Sequence, residues 1–278
     1  MNQVQQDTER ESVEIALLAE ALYRQYGYDF REYAYASLKR RVRNVVQSEG
    51  LTTITSLQDR LLHDSAAFQR FLLAVSVNVT SMFRDPGFFR TVRERLAPLL
   101  RTYPFIRIWH AGCSTGEEVY SMAILLQEEG LHDRCRIYAT DMDEAVLKQA
   151  RDGIFPLRSV RSYEHNYDAA GGKGRLEDYY TAAYGSAMFS ASLRDNIVFS
   201  QHNLAQDRSF NEFNAIFCRN VLIYFNRSLQ NRVHNLFHES LAMFGMLALG
   251  SKETLQFTPH ERDYEQLGAG CKIYRRVR

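Results

Sequence analysis

Two periodicities divide this chain. From about residue 12 to residue 75 the apolar residues recur at three- and four-residue spacing. Val13, Leu17 and Ala21, with Ile15, Leu18 and Leu22, predict an amphipathic first helix, and further helices are predicted over about 30–47, 56–62 and 65–75. Gly27 and Gly50 are the only glycines before Pro86, the first proline, so little interrupts this region; short helices of this kind pack as a small bundle. Beyond residue 100 the pattern changes to short apolar runs between helical stretches. Strands are predicted at 106–111, 136–140, 197–201, 215–218, 246–250 and 272–276, and helices at 117–129, 144–151 and 228–244. That alternation implies a doubly wound sheet with helices on both faces and ligands at the carboxyl ends of the strands. The last two runs lack a long helix between them, which predicts a closing antiparallel hairpin. Residues from about 155 to 193 break the alternation with a polar loop, AAGGKGR (169–175), and two short aromatic-rich strands around Gly185-Ser186. They predict a small β insertion.

Composition narrows the class without naming it. A chain of 278 residues, 45% hydrophobic and 24% charged, can bury a core without metals or disulfides. A net charge of +1 gives no global field toward nucleic acid or acidic membranes. The four cysteines (113, 135, 218, 271) show no C-x-x-C spacing, and three lie in or beside apolar runs; free thiols in a reducing compartment are expected. The opening MNQVQQDTERESVE is not a signal peptide, and no apolar run approaches the ~18 residues of a bilayer span. The expectation is a cytoplasmic protein with no membrane insertion and no nucleic-acid partner, built as a helical domain over 1–76 and a sheet domain over 77–278 with a β subdomain at about 155–195.

The chemistry concentrates at the strand ends. IRIWHAGCSTGEE (106–118) reads as a buried strand, a glycine turn from Gly112 to Gly116, and a helix opened by Glu117 and Glu118. Such a turn brings a nucleotide-like ligand close to the backbone. A carboxylate at the helix start would repel a pyrophosphate and suits a ligand with a cationic near end. Asp141 ends the next apolar run, 25 positions beyond Gly116, where a carboxylate can take ribose hydroxyls. Asn203 follows a strand in SQHNLAQD, and its amide can read an adenine edge as both donor and acceptor. Arg219 and Asn220 follow the run NAIFC, with Tyr224 close behind, while Asn78, Thr80 and Arg84 lie among apolar residues at the domain junction. Lys39, Arg40, Arg41 and Arg43 form the basic run LKRRVRN. His234 and His238 stand at i and i+4 on a predicted helix. With no HExxH and no third ligand evident in the sequence, no metal site is expected.

Five ordered segments, NVTSMFRD (78–85), AGCSTGEEVYSMA (111–123), ATDMDEAVLKQAR (139–151), HNL (202–204) and FCRNVLIYFN (217–226), give the chain a resemblance to the CheR family. These are the S-adenosylmethionine-dependent protein-glutamate O-methyltransferases of bacterial chemosensory systems. The resemblance implies an α/β fold, a Rossmann-like class I methyltransferase domain with a small β insertion, preceded by an all-α N-terminal domain. It implies that Asn78, Thr80 and Arg84 contact the cofactor near its reactive end. Glu117 would lie by the methionine portion and Asp141 by the ribose, with Asn203 and Leu204 flanking the adenine and Arg219 and Asn220 closing the pocket. Arg84 and Tyr224 would orient the substrate carboxylate. The product would be S-adenosylhomocysteine. The partner implied is the cytoplasmic helical domain of chemoreceptors, docked by Lys39, Arg40, Arg41 and Arg43. The loop at Gly185-Ser186 is short and lacks the glycine pattern with which some relatives capture a receptor C-terminal pentapeptide, so independence of that tether is expected. The competing readings are a catalytically idle cofactor-binding scaffold, a nucleic-acid methyltransferase and a dehydrogenase. The chain shows CRNV where amino-methylating nucleic-acid enzymes carry [DNS]-P-P-[YFW], and GCSTG lacks the G-x-G-x-x-G spacing of dehydrogenases.

Overall fold

The computed structural model describes residues 3–76, 80–268 and 270–278. The chain divides into a helical unit, residues 1–77 with 222–232, and a sheet unit, residues 78–221 with 233–278. The return of 222–232 to the helical unit is not suggested by the sequence pattern.

In the helical unit, α1 (Gln3–Tyr26), α2 (Tyr35–Ser48), α3 (Ile54–His63) and α4 (Ser65–Val75) follow in order. Ile15, Leu18 and Leu22 turn one face of α1 into the core, while Val13 and Leu17 stay more than half exposed, so only one of the two apolar registers is buried. Thr53 caps α3 by accepting from the Ser56 amide, and Asp64 both ends α3 and caps α4 by accepting from the Ala66 and Ala67 amides. Each cap satisfies amides that the first helical turn leaves without a partner. Residues 222–232 add to this unit through backbone bonds: the Ala34 amide donates to the Tyr224 carbonyl and the Asn226 amide to the Glu32 carbonyl, both at 2.8 Å. The Tyr33 and Phe225 rings meet edge-on at 5.1 Å, and Arg232 pairs with Glu32.

The sheet unit opens with α5 (Pro86–Thr91), a π turn (Val92–Leu96) and α6 (Ala97–Leu100). β1 (Ile106–Ala111) leads through the glycine turn to α7 (Glu117–Glu128), and β2 (Cys135–Asp141) leads to α8 (Glu144–Asp152). The β insertion follows: β3 (Ile154–Pro156), α9 (Leu157–Ala169), β4 (Tyr180–Ala183) and β5 (Ser186–Phe189) form a separate antiparallel sheet in the order β3-β5-β4. α10 (Ala191–Arg194), β6 (Ile197–Gln201) and β7 (Phe213–Cys218) come next. α11 (Arg227–Ser240) then gives its last turns to this unit, before β8 (Leu241–Leu249), β9 (Tyr264–Gln266) and β10 (Ile273–Arg276). Among the described residues the main sheet has seven strands in the order β6-β2-β1-β7-β8-β10-β9; β10 runs antiparallel to both its neighbours, β8 and β9, and the other pairs are parallel. Ile106, Ile108 and Trp109 of β1, Ile216 and Phe217 of β7, and Leu247 of β8 are fully or almost fully buried. Buried apolar runs of this kind are what a parallel sheet covered on both faces requires.

Three elements differ from the sequence reading. α9 occupies part of what reads as irregular, because its core contacts are Val160, Tyr163 and Tyr167, a helical spacing carried partly by strand-favouring residues. The helix predicted to reach residue 244 ends at Ser240, and β8 begins at once. Its first residues pass through a register shift opposite Phe213 and Ala215 and a positive φ at Phe244. β9 is an added edge strand.

Candidate active site

The turn after β1 takes its shape from two glycines. Gly112 (φ +77°) and Gly116 (φ +94°) occupy a backbone region that favours glycine. A Cβ at Gly112 would stand 2.6 Å from Val221 Cγ2, and one at Gly116 would stand 2.9 Å from Ala150 Cβ. The turn is tied to β2 by the Gly112 and Cys113 amides, which donate to the Thr140 carbonyl at 2.8 and 2.9 Å. At β2's carboxyl end, Asp141 accepts from the Ser114 amide (2.9 Å) and the Asp143 amide (3.1 Å). Burial pushes the Asp141 carboxyl above its ordinary value, and these amide bonds oppose the shift.

Glu117 opens α7 and is buried. It accepts from the Thr115 hydroxyl at 2.6 Å and from the Tyr163 hydroxyl at 3.5 Å, and burial raises its pKa. A buried carboxylate with hydroxyl partners and, among the described residues, no paired cation is suited to a cationic ligand group. Glu118, its neighbour, is already neutralised. Arg219 donates to it at 2.7 Å and to Asp85 at 2.6 Å, and the guanidinium lies 3.9 Å from the centre of the Phe88 ring. Burial alone would raise Glu118, but Arg219 and then His110 bring it down to about 2. Sequence reading singles out Arg219 and misses its partners Glu118 and Asp85, which lie 101 and 134 residues away. It also misses Glu253, which is buried and accepts from the amides of Asn220 (3.1 Å), Val221 (2.8 Å) and Gly250 (2.6 Å). This carboxylate holds the 219–221 loop, where Asn220 has φ +62°.

The remaining candidates are placed as follows. Thr80 and Arg84 are half-buried, and the Arg84 carbonyl accepts from Arg219 at 3.4 Å. Asn78 lies outside the described residues. Asn203 spends its amide locally, with its oxygen accepting from the Ala205 amide (3.0 Å) and its nitrogen donating to Gln206 (2.9 Å); Leu204 is half-buried beside it. Tyr224 belongs to the helical unit, where the Arg41 guanidinium lies 4.2 Å from its ring centre. Arg41 is therefore a correction to the basic run: it is buried, donating to the Val75 carbonyl, and is not a surface cation. Lys39 and Arg43 both pair with Glu11, while Arg40 is exposed.

The turn, Asp141 and Glu117 fit S-adenosylmethionine on their own chemistry. The glycines let the turn close against Val221 and Ala150, and the two carboxylates supply acceptors for hydroxyls and an ammonium. All four cysteines are free thiols, and among the described residues no helix is long and apolar enough to cross a membrane.

Comparison with known proteins agrees with this chemistry. Residues 78–270 match the family model described as "CheR methyltransferase, SAM binding domain", and residues 14–76 match "CheR methyltransferase, all-alpha domain". The "Putative methyltransferase Cher3" of Pseudomonas putida is 50% identical over 264 residues, covering 95% of this chain and 97% of that protein. "Chemotaxis protein methyltransferase 2" of Pseudomonas aeruginosa is 33% identical over 88% of this chain and 84% of its own length. The "Chemotaxis protein methyltransferase" of Salmonella typhimurium is 31% identical over 80% of this chain and 76% of its own length.

Proposed function

The chain belongs to the CheR methyltransferase family and its cofactor is S-adenosylmethionine; from that premise we propose that it methylates glutamate side chains of bacterial chemoreceptors in sensory adaptation, releasing S-adenosylhomocysteine. The observation that carries this reading is the pair of carboxylates, Glu117 and Asp141, beside a turn whose glycines exclude side chains. The names of the relatives from Pseudomonas aeruginosa and Salmonella support the chemotaxis assignment.

S-adenosylmethionine supplies an activated methyl group on a sulfonium. Glu117 would receive the ammonium of its amino-acid end, and Asp141 would accept from the ribose hydroxyls. The Glu253-held loop fixes the position of Asn220. A substrate glutamate is already ionised at neutral pH, its ordinary pKa being about 4.3. No general base is required. Bound there, the sulfonium would supply the methyl group to that carboxylate directly, so the protein's own residues would have no proton to move. The protein's task is alignment and exclusion of water, and alignment is worth roughly 7–11 kcal/mol of a barrier. Arg84 and Tyr224 are read, by family resemblance, as the groups that orient the incoming carboxylate. An arginine can hold it in a forked pair, but holding it too firmly would stabilise the ground state and slow transfer.

The receptor is read as docking on the exposed part of the basic run, with Arg40 at its centre, in the cytoplasm. Tether independence fits the β4–β5 connection, a two-residue turn (Tyr184 φ +49°, Gly185 φ +75°) between Ala183 and Ser186. Primed hairpin turns of this kind leave no loop to enclose a peptide. Incubating the full chain with methyl-labelled S-adenosylmethionine and receptor cytoplasmic fragments tests the whole reading. Base-labile label on receptor glutamates is expected. Label on nucleic acid alone would refute it, and cofactor binding with no transfer would favour the idle scaffold. Tight binding of a receptor C-terminal pentapeptide would overturn tether independence.

A further inference from the structure

We propose that His238, His260 and Asp263 form a binding site for a borderline divalent metal ion such as Zn²⁺, separate from the cofactor site. His238 lies in the last turn of α11, and His260 and Asp263 lie in the turn before β9. One donor atom from each of the three falls within 4.8 Å of the others, and among the described residues no other trio of His, Cys, Asp or Glu donors meets that condition. The sequence shows only His234 and His238 on the helix. The fold replaces His234 with two donors from a loop more than twenty residues downstream.

Hydrogen bonding around the trio points the same way. The His260 Nε2 lies 2.9 Å from Asn235 Oδ1, and its Nδ1 lies 2.8 Å from Asp263 Oδ2. If Nε2 donates to the Asn235 oxygen, a neutral His260 turns the Nδ1 lone pair toward the Asp263 carboxylate. Two acceptors then face each other, and either a proton or a shared cation resolves the arrangement. An outer oxygen that fixes the tautomer in this way is the usual support for a metal-binding histidine. The second observation is independent: His238 Nδ1 is buried with no hydrogen-bond partner. Its ring stacks on His260 at 3.9 Å and 10°, so the two imidazoles are already adjacent and need only splay apart for both in-plane lone pairs to meet one ion. The neighbouring cation, Arg276, is engaged by the carbonyls of His238 and Leu241. Two imidazoles and one carboxylate suit Zn²⁺ and its transition-metal neighbours better than Ca²⁺ or Mg²⁺, and the three residues are half-buried, leaving solvent to complete the coordination. The ion would fasten the end of α11 to the segment that follows Glu253.

The test is Zn²⁺ uptake by the full chain, freed of metal by chelator and titrated against a chromophoric competitor, with S-adenosylhomocysteine binding as the check on folding. The wild type is expected to take up one equivalent. H260A should lose it, H238A should bind at least tenfold more weakly, and H234A and C271S should bind as the wild type does. Absence of uptake by the folded wild type would overturn the proposal. So would uptake unchanged in both H238A and H260A, or uptake lost only in C271S, which would place the ion on the partly exposed thiol. Should H260A fail the folding check, D263N provides the same reading with a smaller change.

Discussion

Glu117 and Glu118 are adjacent in the sequence and electrostatically opposite. Glu118 keeps its charge, which Arg219 and His110 stabilise, and is held at about 2. Its folded pKa lies below its unfolded one, so its contribution to stability is complete above the ordinary carboxylate value and is lost as pH falls from about 4.5 toward 2. E118Q leaves Arg219 with Asp85 as its remaining carboxylate and is expected to cost about 1.5–3 kcal/mol at pH 7, the loss of one charge-assisted hydrogen bond, and to abolish most of the wild type's extra stability loss between pH 5 and 3. Urea unfolding across that range measures both. Glu117 runs the other way. Burial raises its pKa, so the cost of ionising it in the empty protein accrues as pH rises from about 4.5 to that raised value and is constant above it. E117Q should therefore leave the cofactor-free protein as stable as the wild type or slightly more so, while weakening S-adenosylhomocysteine binding about tenfold by calorimetry, the loss of one charge-assisted hydrogen bond. A weaker apo protein with unchanged affinity would contradict that role. At this scale the sequence is readable where a residue's function follows from its own position, as with Glu117 opening a helix or Asp141 ending a strand. It is silent on the pairing of Glu118 and Asp85 with Arg219 and on Glu253, because a long-range ion pair or a carboxylate beneath a loop leaves no local spacing.

Among the elements, the strands were the easiest to read, since parallel strands covered on both faces must be continuous apolar runs. α9 and the start of β8 were not. LRSVRSYEHNYDA carries its helical stripe on two tyrosines, and LAMFGML continues the preceding helix pattern until Phe244 turns it at positive φ. The glycine turn is the element on which the cofactor site depends. Replacing Gly116 with alanine combines a strained φ with a 2.9 Å approach to Ala150 and is expected to cost about 2–4 kcal/mol. Gly130, also at positive φ but with nothing within 4 Å of a Cβ, serves as the control, and G130A should cost about 1 kcal/mol. Equal losses in thermal or urea unfolding would remove the packing half of the argument.

On the scale of the molecule, the basic run resolves into cations with different jobs. Arg41 is buried in the helical unit, Lys39 and Arg43 share Glu11, and Arg40 is exposed. R40E is thus the cleanest charge reversal. It is expected to raise the KM for receptor fragments about tenfold at low ionic strength, with the difference shrinking as salt is added and with cofactor affinity unchanged. Unchanged receptor methylation at low salt would sink docking through this surface. R43E is a poorer probe, because it sets two carboxylates against each other at Glu11 and would unsettle α1 against α2.

The passage of residues 222–232 back into the helical unit bears on the order in which the protein can be made. Tyr33 and Ala34 find Phe225 and Tyr224, and Glu32 finds Asn226 and Arg232, only after about 150 residues beyond the end of α4 have been synthesised. At ribosomal rates of about 5–20 residues per second, the first unit to emerge waits roughly ten to thirty seconds for its last piece. Until then the surface around Phe30 and Tyr33 is unfinished. A fragment ending near residue 76 would carry that incompleteness permanently.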